Sequence, residues 1–336
     1  MRDEVSSKVG LSRRGFVAGS GALVGAIAAG SRIANAQTTP LRLSIFGGLD
    51  AWPVYVIHDK ALLKGYDLTL TPTTGSVPQF QRMMAGDADM ALTAMDNIIA
   101  YDEGQGDPAV QGTFDFAAFL GVGPGFLRLL VRPEITSFEQ LRGKTFAVDA
   151  VGTGFTLVLR RLLEKNGIAP GEYSLVPLGS TQKRFDGMVA GQCIGGMVGA
   201  PFDLLGQQKY GFHVLGTATE TLGHYQATVV MARRSWMATH KPTVAAFVKA
   251  YREAIVWLYD PANRTEAMAI LARNAEFAPE LVAQVTPGVL GSAASFSRTG
   301  AFDVAGVNTV VELRSSYITP KKTFGDVAKY IDPSFL

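Results

Sequence analysis

Short glycine-rich turns that follow predicted strands are the residues of this sequence best suited to chemistry. One of them is "DAVGTGF", Asp149 to Phe155, which lies between the strand-like run "KTFAV" and the helical run "TLVLRRLLEKNG". A helix that begins after such a turn has backbone N–H groups without intrahelical partners, and these favour a phosphate, sulfonate, carboxylate or carbonyl oxygen. The turn is therefore a candidate binding loop for a polar group.

The enzyme motifs that this turn suggests are incomplete. The dinucleotide pattern G-x-G-x-x-G would begin at Gly152 and Gly154, but Leu157 occupies the position of its third glycine. The "GKT" at 143–145 lacks the first glycine of a P-loop, because Phe138 stands there. The four histidines have no metal-ligand spacing, there is one cysteine, and no G-x-S-x-G elbow occurs. We therefore expect no catalytic residue, no metal and no cofactor.

Other predicted strand ends are rich in small, hydroxylated and aromatic residues. Ligands of open α/β sheets bind outside the carboxyl ends of the strands, and glycine lets a ligand approach the backbone closely. Helices that begin after residues 75, 152 and 179 would direct free N–H groups toward such a ligand. The strand ends in question are 46–52, 71–77, 93–97, 151–155, 178–182 and 198–203.

Two acidic residues at these strand ends bear on the charge of a ligand. Asp50 and Asp96 either cap helices, a role for which Asp is preferred, or face the cleft, where they would repel nitrate or sulfate and favour an N–H donor or a cation. Aromatic residues nearby either stack on a flat ligand or belong to the core: Trp52, Phe155, Phe202 and Tyr225.

The elements that would position these residues form a weak internal repeat. The order strand, helix, strand, helix, strand that begins at "LRLSIFGG" recurs from "KTFAVDAVG" onward. Chance spacing of glycines is the alternative, but five matched elements predict two βαβαβ units, which are typical of a pair of mainly parallel α/β lobes. Corresponding glycines lie 104 or 105 residues apart: Gly48 and Gly152, Gly75 and Gly179, Gly86 and Gly191.

The first 36 residues have the composition of an export signal. Adjacent Arg13 and Arg14 precede an apolar stretch, Gly15–Gly30, and an Ala-Asn-Ala site that ends at Ala36. The twin arginines predict the Tat route, whereas a membrane anchor would need about 20 apolar residues. Removal of this segment takes five bases and two acids from the 31 and 29 of the whole sequence, which leaves a net charge of −1.

This charge and the cysteine count limit the function classes. A mature chain near neutrality has no basic surface of the kind that binds nucleic acid. Cys193 is the only cysteine, which excludes an internal disulfide, and it lies far from the signal, where it is not placed to carry a lipid anchor. We expect a protein that is free in a periplasm-like space.

Several ordered stretches carry a family resemblance. They are "FLRLLVRPEITSFEQLRGKTFAVDAVGTGFTLVLRRLLEKNGI", "FDGMVAGQCIGGMVGAPF", "HKPTVAAFVKAYREAIVWLYDPANRTEAMAIL" and the ending "DVAKYIDPSFL". The mature chain resembles the periplasmic solute-binding proteins of ABC importers. It is most similar to the nitrate/sulfonate/taurine (NitT/TauT) group, which includes binding proteins for thiamine pyrimidine precursors.

The resemblance implies an α/β, two-lobed periplasmic-binding-protein type II fold. Each lobe would be a mainly parallel sheet flanked by helices, with residues 37–130 plus 226–336 in the first lobe and 131–225 in the second. Two crossover segments would form the hinge, and closure would trap a ligand between the lobes. The partners implied are a small-molecule ligand and the permease subunits of an importer, and we expect a monomer.

By motif position the resemblance also implies the ligand loops. Asp50 and Asp96 among them argue against nitrate and favour a zwitterion or an amino-substituted heterocycle. Two alternatives remain, namely a pyrimidine-synthesising enzyme on the same fold and an extracytoplasmic sensor subunit. The fungal enzymes carry a cysteine-rich motif that Cys193 alone cannot supply. The candidate ligand-binding residues are Gly47, Gly48, Asp50, Trp52, Thr74, Gly75, Ser76, Thr93, Asp96, Gly152, Thr153, Gly154, Phe155, Ala200 and Pro201.

Overall fold

The computed structural model describes residues 38–292 and 295–336. The predicted signal peptide, residues 1–36, lies outside the described residues. Thr38–Leu336 form one compact unit. Within the described ranges, no helix combines the length and the hydrophobicity needed to cross a membrane.

The described residues form ten strands that are arranged in two sheets. The order of the first sheet is β2-β1-β3-β10-β4, and that of the second is β7-β6-β8-β5-β9. The strands are β1 (Thr39–Ile45), β2 (Tyr66–Pro72), β3 (Met90–Ala94), β4 (Phe116–Gly123), β5 (Arg128–Val131), β6 (Thr145–Val148), β7 (Ser174–Pro177), β8 (Gly195–Val198), β9 (His213–Thr217) and β10 (Thr228–Arg233).

Helices flank both sheets. Short 3₁₀ turns supplement them, of which Leu49–Ala51 precedes the first helix. The α-helices are α1 (Trp52–Asp59), α2 (Ser76–Ala85), α3 (Met95–Asp102), α4 (Gly154–Lys165), α5 (Thr181–Val189), α6 (Phe202–Tyr210), α7 (Ala218–Leu222), α8 (Arg234–Thr239), α9 (Lys241–Tyr259), α10 (Arg264–Ala275), α11 (Pro279–Leu290) and α12 (Val304–Tyr317).

The two sheets repeat one topology, which confirms the internal repeat. In each sheet the first three strands are parallel, and their order, β2-β1-β3 or β7-β6-β8, is the same. Each sheet also contains one antiparallel strand, β10 in the first and β5 in the second. These reversed strands are the ones that enter from the other sheet. Two mixed α/β sheets flanked by helices therefore confirm the predicted fold class.

The chain crosses between the sheets twice. The first crossing, residues 124–127, joins β4 to β5, and the second, residues 223–227, joins α7 to β10. The boundary expected after residue 130 falls inside β5, which is a strand of the second sheet. Gly125 and Gly223 both have positive φ, at 80° and 74°, a backbone region that glycine enters without steric cost.

Apolar periodicity accounts for the helices that hold these sheets. On α9 the predicted stripe is buried throughout, including Phe247, Tyr251 and Leu258. Helix α4 buries a similar face and ends at Lys165; Asn166 is its C-cap, and Gly167 follows with φ 77°, as the C′ role predicts. Helix α12 packs on α3, which follows a strand of the first sheet, and on α4, which follows a strand of the second. It therefore links the helices of the two sheets.

Candidate functional site

A small cavity lies where strand ends of the two sheets meet. Its volume is about 70 Å³. One water molecule needs at least about 10–15 Å³ of such space, so the cavity has room for several waters. The lining residues on the side of the first sheet are Phe46, Gly47, Asp50, Leu92, Thr93, Ala94, Asn97 and Thr228. Those on the side of the second sheet are Asp149, Thr153, Gly154, Phe155, Thr181 and Arg184.

The structure brings six of the fifteen candidate residues into this cavity lining. They lie at the carboxyl ends of β1, β3 and β6 or at the start of α4, as expected for ligand contacts at carboxyl strand ends. They are Gly47, Asp50, Thr93, Thr153, Gly154 and Phe155. The other nine lie elsewhere: Gly48, Trp52, Thr74, Gly75, Ser76, Asp96, Gly152, Ala200 and Pro201.

Three of the four aromatic candidates belong to the core. Trp52 is fully buried, and its Nε1 donates a hydrogen bond of 2.9 Å to the carbonyl oxygen of Ala267. Phe202 and Tyr225 are buried in apolar clusters. The stacking interpretation is therefore wrong for these three residues, and Phe155 alone of the four lines the cavity.

The loop before α2 closes the cleft instead of lining the cavity. The Ser180 N–H donates to the carbonyl oxygen of Thr74 at 3.0 Å, and the Ser76 N–H donates to Asp149 Oδ1 at 3.3 Å. Gly179, with φ 93°, approaches so closely that a Cβ atom there would lie 2.6 Å from the Thr74 oxygen. These contacts join the strand ends of the two sheets. Gly75 takes part in the same contact, beside Asp149 and Gly179.

Asp96 has a role that neither sequence interpretation anticipated. Its two carboxylate oxygens accept hydrogen bonds from Arg314 Nε and Nη2 at 2.8 and 2.6 Å, and both side chains are fully buried. It does not cap α3. Arg314 Nη2 also donates to the carbonyl oxygen of Gly152 at 2.7 Å. The pair thus anchors the glycine-rich turn to α12. A Cβ atom at Gly154 would lie 2.5 Å from that of Asp96.

Asp50 lines the cavity, and one oxygen of its carboxylate has no hydrogen-bond partner among the described residues. It caps no helix, because neither the 3₁₀ turn nor α1 has a side-chain cap. Its Oδ1 atom is buried and has no hydrogen-bond partner among the described residues. Burial raises the pKa of Asp50 to about 6, and the hydroxyl of Thr228 opposes this rise in pKa.

Arg184, on α5, is a buried charge that the sequence analysis did not single out. Its guanidinium donates to the carbonyl oxygens of Gly179 and Met197 and to Thr181 Oγ1. Burial lowers its pKa to about 10, although the negative charge of Asp149 acts in the opposite direction on that pKa. Arg184 is the second basic residue of α5, after Lys183, and it lies just outside the predicted strand end 178–182, so the sequence analysis did not include it.

The start of α4 supplies backbone donors to the cavity. The Thr153 hydroxyl donates to the carbonyl oxygen of Ala150 and so does not cap α4. No acceptor within the described residues takes the N–H of Gly154 or of Phe155. The turn therefore presents N–H donors together with the positive end of a helix dipole, as its sequence predicts. Four other lining residues, Phe46, Ala94, Asn97 and Thr181, lie in the predicted strand ends but were not singled out there. Leu92 and Thr228 lie outside those stretches, and nothing in their local sequence distinguishes them.

Comparison with known proteins identifies the class to which this fold belongs. Solved structures with the same fold include the nitrate-binding protein NrtA of Synechocystis PCC 6803, with a TM-score of 0.74, 14% identity and coverage of 89% of this chain and 87% of its own. The alkanesulfonate-binding protein SsuA of Xanthomonas axonopodis pv. citri, bound to MOPS, has a TM-score of 0.68, 16% identity and coverage of 88% and 98%.

A third similar structure is the ligand-binding component of an ABC-type import system of Staphylococcus aureus, with zinc bound, at a TM-score of 0.71, 15% identity and coverage of 89% and 98%. The fold is therefore that of the periplasmic binding proteins, which confirms the resemblance found in the sequence. At these identities the likeness shows the fold alone. Among curated proteins, none matches this sequence.

The family itself is shown by a sequence model. The model described as "NMT1/THI5 like" matches residues 60–264, more than half of the 336-residue chain. The protein belongs to the NMT1/THI5-like family.

Proposed function

We propose that this protein is the substrate-binding component of an ABC importer. It captures a small polar organic solute between two lobes and delivers it to the membrane permease. The solute classes that suit the site are sulfonates, carboxylates, zwitterions and amino-heterocycles. The observation that carries this proposal is the cavity itself, because loops from the carboxyl strand ends of both sheets line it. Structural neighbours with this fold include solute-binding proteins for nitrate and for alkanesulfonates.

The proposal includes a hinged closure of the two lobes. Within residues 38–292 and 295–336, only the segments 124–127 and 223–227 connect the two sheets along the chain, so the lobes can rotate about them as in other clamp-like proteins. Residues of α4 and α12 also contact each other. Arg161 of α4 donates to Tyr317 Oη at 2.9 Å and to Glu312 Oε1 at 3.0 Å, both on α12. A ligand that touches both lobes would favour this closed arrangement.

The proposal includes export and a monomeric state. Tat export to the periplasm would place the protein beside an importer, and the predicted signal at residues 1–36 is the feature that supports it. A clamp of two lobes on one chain contains its complete site and needs no second copy. The closed form is the one that would dock on the permease subunits.

Binding without turnover is the mode that the site supports. Cys193 is buried in an apolar cluster of the second half, outside the cavity lining, and burial raises the pKa of its thiol. A thiol of this kind is a poor nucleophile, because the thiolate is the reactive form. The described residues contain no group of three or more His, Cys, Asp or Glu side chains placed to hold a metal ion.

The test is a thermal-shift screen of the exported protein against the four solute classes, followed by small-angle scattering and chemical analysis of each hit. A solute at 100 times its dissociation constant should stabilise the protein by about 2.7 kcal/mol. We expect the radius of gyration to fall on binding and the solute to be recovered unchanged. Conversion of the solute during incubation would instead support an enzyme, and a screen without stabilising solutes would contradict the proposal.

A further inference from the structure

The charges that line the cavity are unbalanced. Among its lining residues the ionisable side chains are Asp50, Asp149 and Arg184, two acids and one base. Asp149 favours the charged form of Arg184, so these two charges offset each other. The excess negative charge belongs to Asp50. Asp96, just outside the lining, is already neutralised by its bidentate pair with Arg314.

No described residue donates a hydrogen bond to Oδ1 of Asp50. Its Oδ1 is buried without a partner, and a buried acceptor that is left unpaired is costly. Burial raises the pKa of Asp50, and the Thr228 hydroxyl opposes this rise in pKa through a hydrogen bond, but a hydroxyl carries no charge that could offset the carboxylate. A bound solute that fills the cavity displaces the water that would otherwise reach Oδ1. The solute itself must then supply the hydrogen-bond donor.

We propose that the solute carries a protonated nitrogen, as an amine, an amidine or a protonated heterocycle, and that this nitrogen pairs with Asp50. This inference rests on the proposed binding function and narrows the ligand class. A bare inorganic anion would add a third negative charge beside Asp50 and Asp149 in a site of low dielectric, where like charges repel strongly. A cationic nitrogen instead satisfies Oδ1 and balances the cavity.

The start of α4, which also lines the cavity, suits an acidic or carbonyl group on the same solute. The free N–H groups of Gly154 and Phe155 at the start of α4 are donors suited to an oxygen atom. A zwitterion would use both Asp50 and these N–H groups, whereas a simple cation would use Asp50 alone. The small volume of about 70 Å³ favours a compact solute in either case.

Matched pairs of solutes test this inference by isothermal titration calorimetry at pH 7.5. The pairs are taurine with ethanesulfonate and β-alanine with propionate, and each pair differs in the amine. Ethylamine and nitrate test a cation and an anion alone. We expect the aminated member to bind the wild-type protein about tenfold to hundredfold more tightly than its partner, the range for a hydrogen bond to a charged group. Ethylamine binding as tightly as the zwitterions would identify a simple cation as the ligand class.

The variants Asp50→Asn and Asp203→Asn separate this role from a general effect of charge. Asp203 also has a buried, unpartnered Oδ1, but it lies outside the cavity lining and pairs with Arg128 at 3.2 Å. Asp50→Asn should abolish the preference for the amine, and Asp203→Asn should preserve it.

Three results would overturn the inference: nitrate or ethanesulfonate that binds more tightly than the amines, no binding by any aminated probe, or an unchanged preference in Asp50→Asn. Failure of the broader binding proposal is distinguishable from these results. If an anion binds the wild-type protein and lowers the radius of gyration, the clamp is retained and the inference about the protonated nitrogen alone is refuted.

Discussion

Removal of the Asp50 charge should stabilise the ligand-free protein. Burial raises the pKa of this carboxyl from 3.8 to about 6 in the folded state. A difference of about 2 pH units corresponds to about 3 kcal/mol of folding free energy, at 1.36 kcal/mol for each unit. Asp50→Asn removes the ionisation and should recover up to about this amount at neutral pH. If Asp50 stabilised the fold, Asp50→Asn would instead lower the free energy of unfolding, as most substitutions do.

The pH dependence of this gain follows from the direction of the pKa shift. Between about pH 4 and pH 6 the folded protein binds a proton at Asp50 that the unfolded chain has released. The wild-type protein therefore loses stability as the pH rises through this window, and the variant does not. The difference in unfolding free energy between the two proteins should be near zero at pH 4 and reach its full value above pH 6.

Urea unfolding followed by circular dichroism at pH 4.0, 5.0, 6.0 and 7.5 measures this difference. The wild-type protein is first unfolded, dialysed and refolded so that no bound solute contributes to its stability. Asp203→Asn is the matched control, and it should be less stable than the wild type at neutral pH, because it breaks the ion pair with Arg128. An Asp50→Asn variant that is destabilised by the same amount at every pH would refute the reasoning.

Three further predictions concern the pH, the buried ion pair and the cleft contact. Affinity for an amine-bearing solute should fall about tenfold for each pH unit below the Asp50 pKa of about 6 and stay constant above it, as calorimetry at several pH values would show; a flat profile would contradict this. Arg314→Ala should cost about 3–5 kcal/mol in urea unfolding, because it leaves Asp96 buried without its partner; a loss below 1 kcal/mol would contradict the pairing. Gly179→Ala should weaken solute binding and leave the radius of gyration unchanged on solute addition, because its Cβ would meet the Thr74 oxygen at 2.6 Å; normal closure would show that this contact does not form.

The sequence predicts the framework of the site well because that framework is local. Strand, turn and helix are adjacent in the chain, so "DAVGTGF" identifies both the donor turn and its position at a strand end. The repeat of about 104 residues gives the counterpart of this turn on the other sheet, and the strand orders agree. Asp50 is likewise found from its place between strand β1 and helix α1.

The partners of the site residues could not be predicted because they come from distant parts of the chain. Arg314 pairs with Asp96 across 218 positions, and no pattern around either residue indicates the other. Trp52 lies beside the ligand loop in sequence, yet its ring turns to the core and bonds Ala267. Arg184 lies in the first turn of helix α5, just beyond its strand end, where an arginine is ordinarily expected to be solvated.

A crystal structure of the protein with its most stabilising solute tests the central claim most directly. The account predicts one chemically intact solute molecule in the cavity between the two sheets. Its protonated nitrogen should lie within hydrogen-bond distance of Asp50 Oδ1, and its remaining polar atoms should face the N–H groups of Gly154 and Phe155. Density for a reaction product, or a solute bound outside this cavity, would contradict the account.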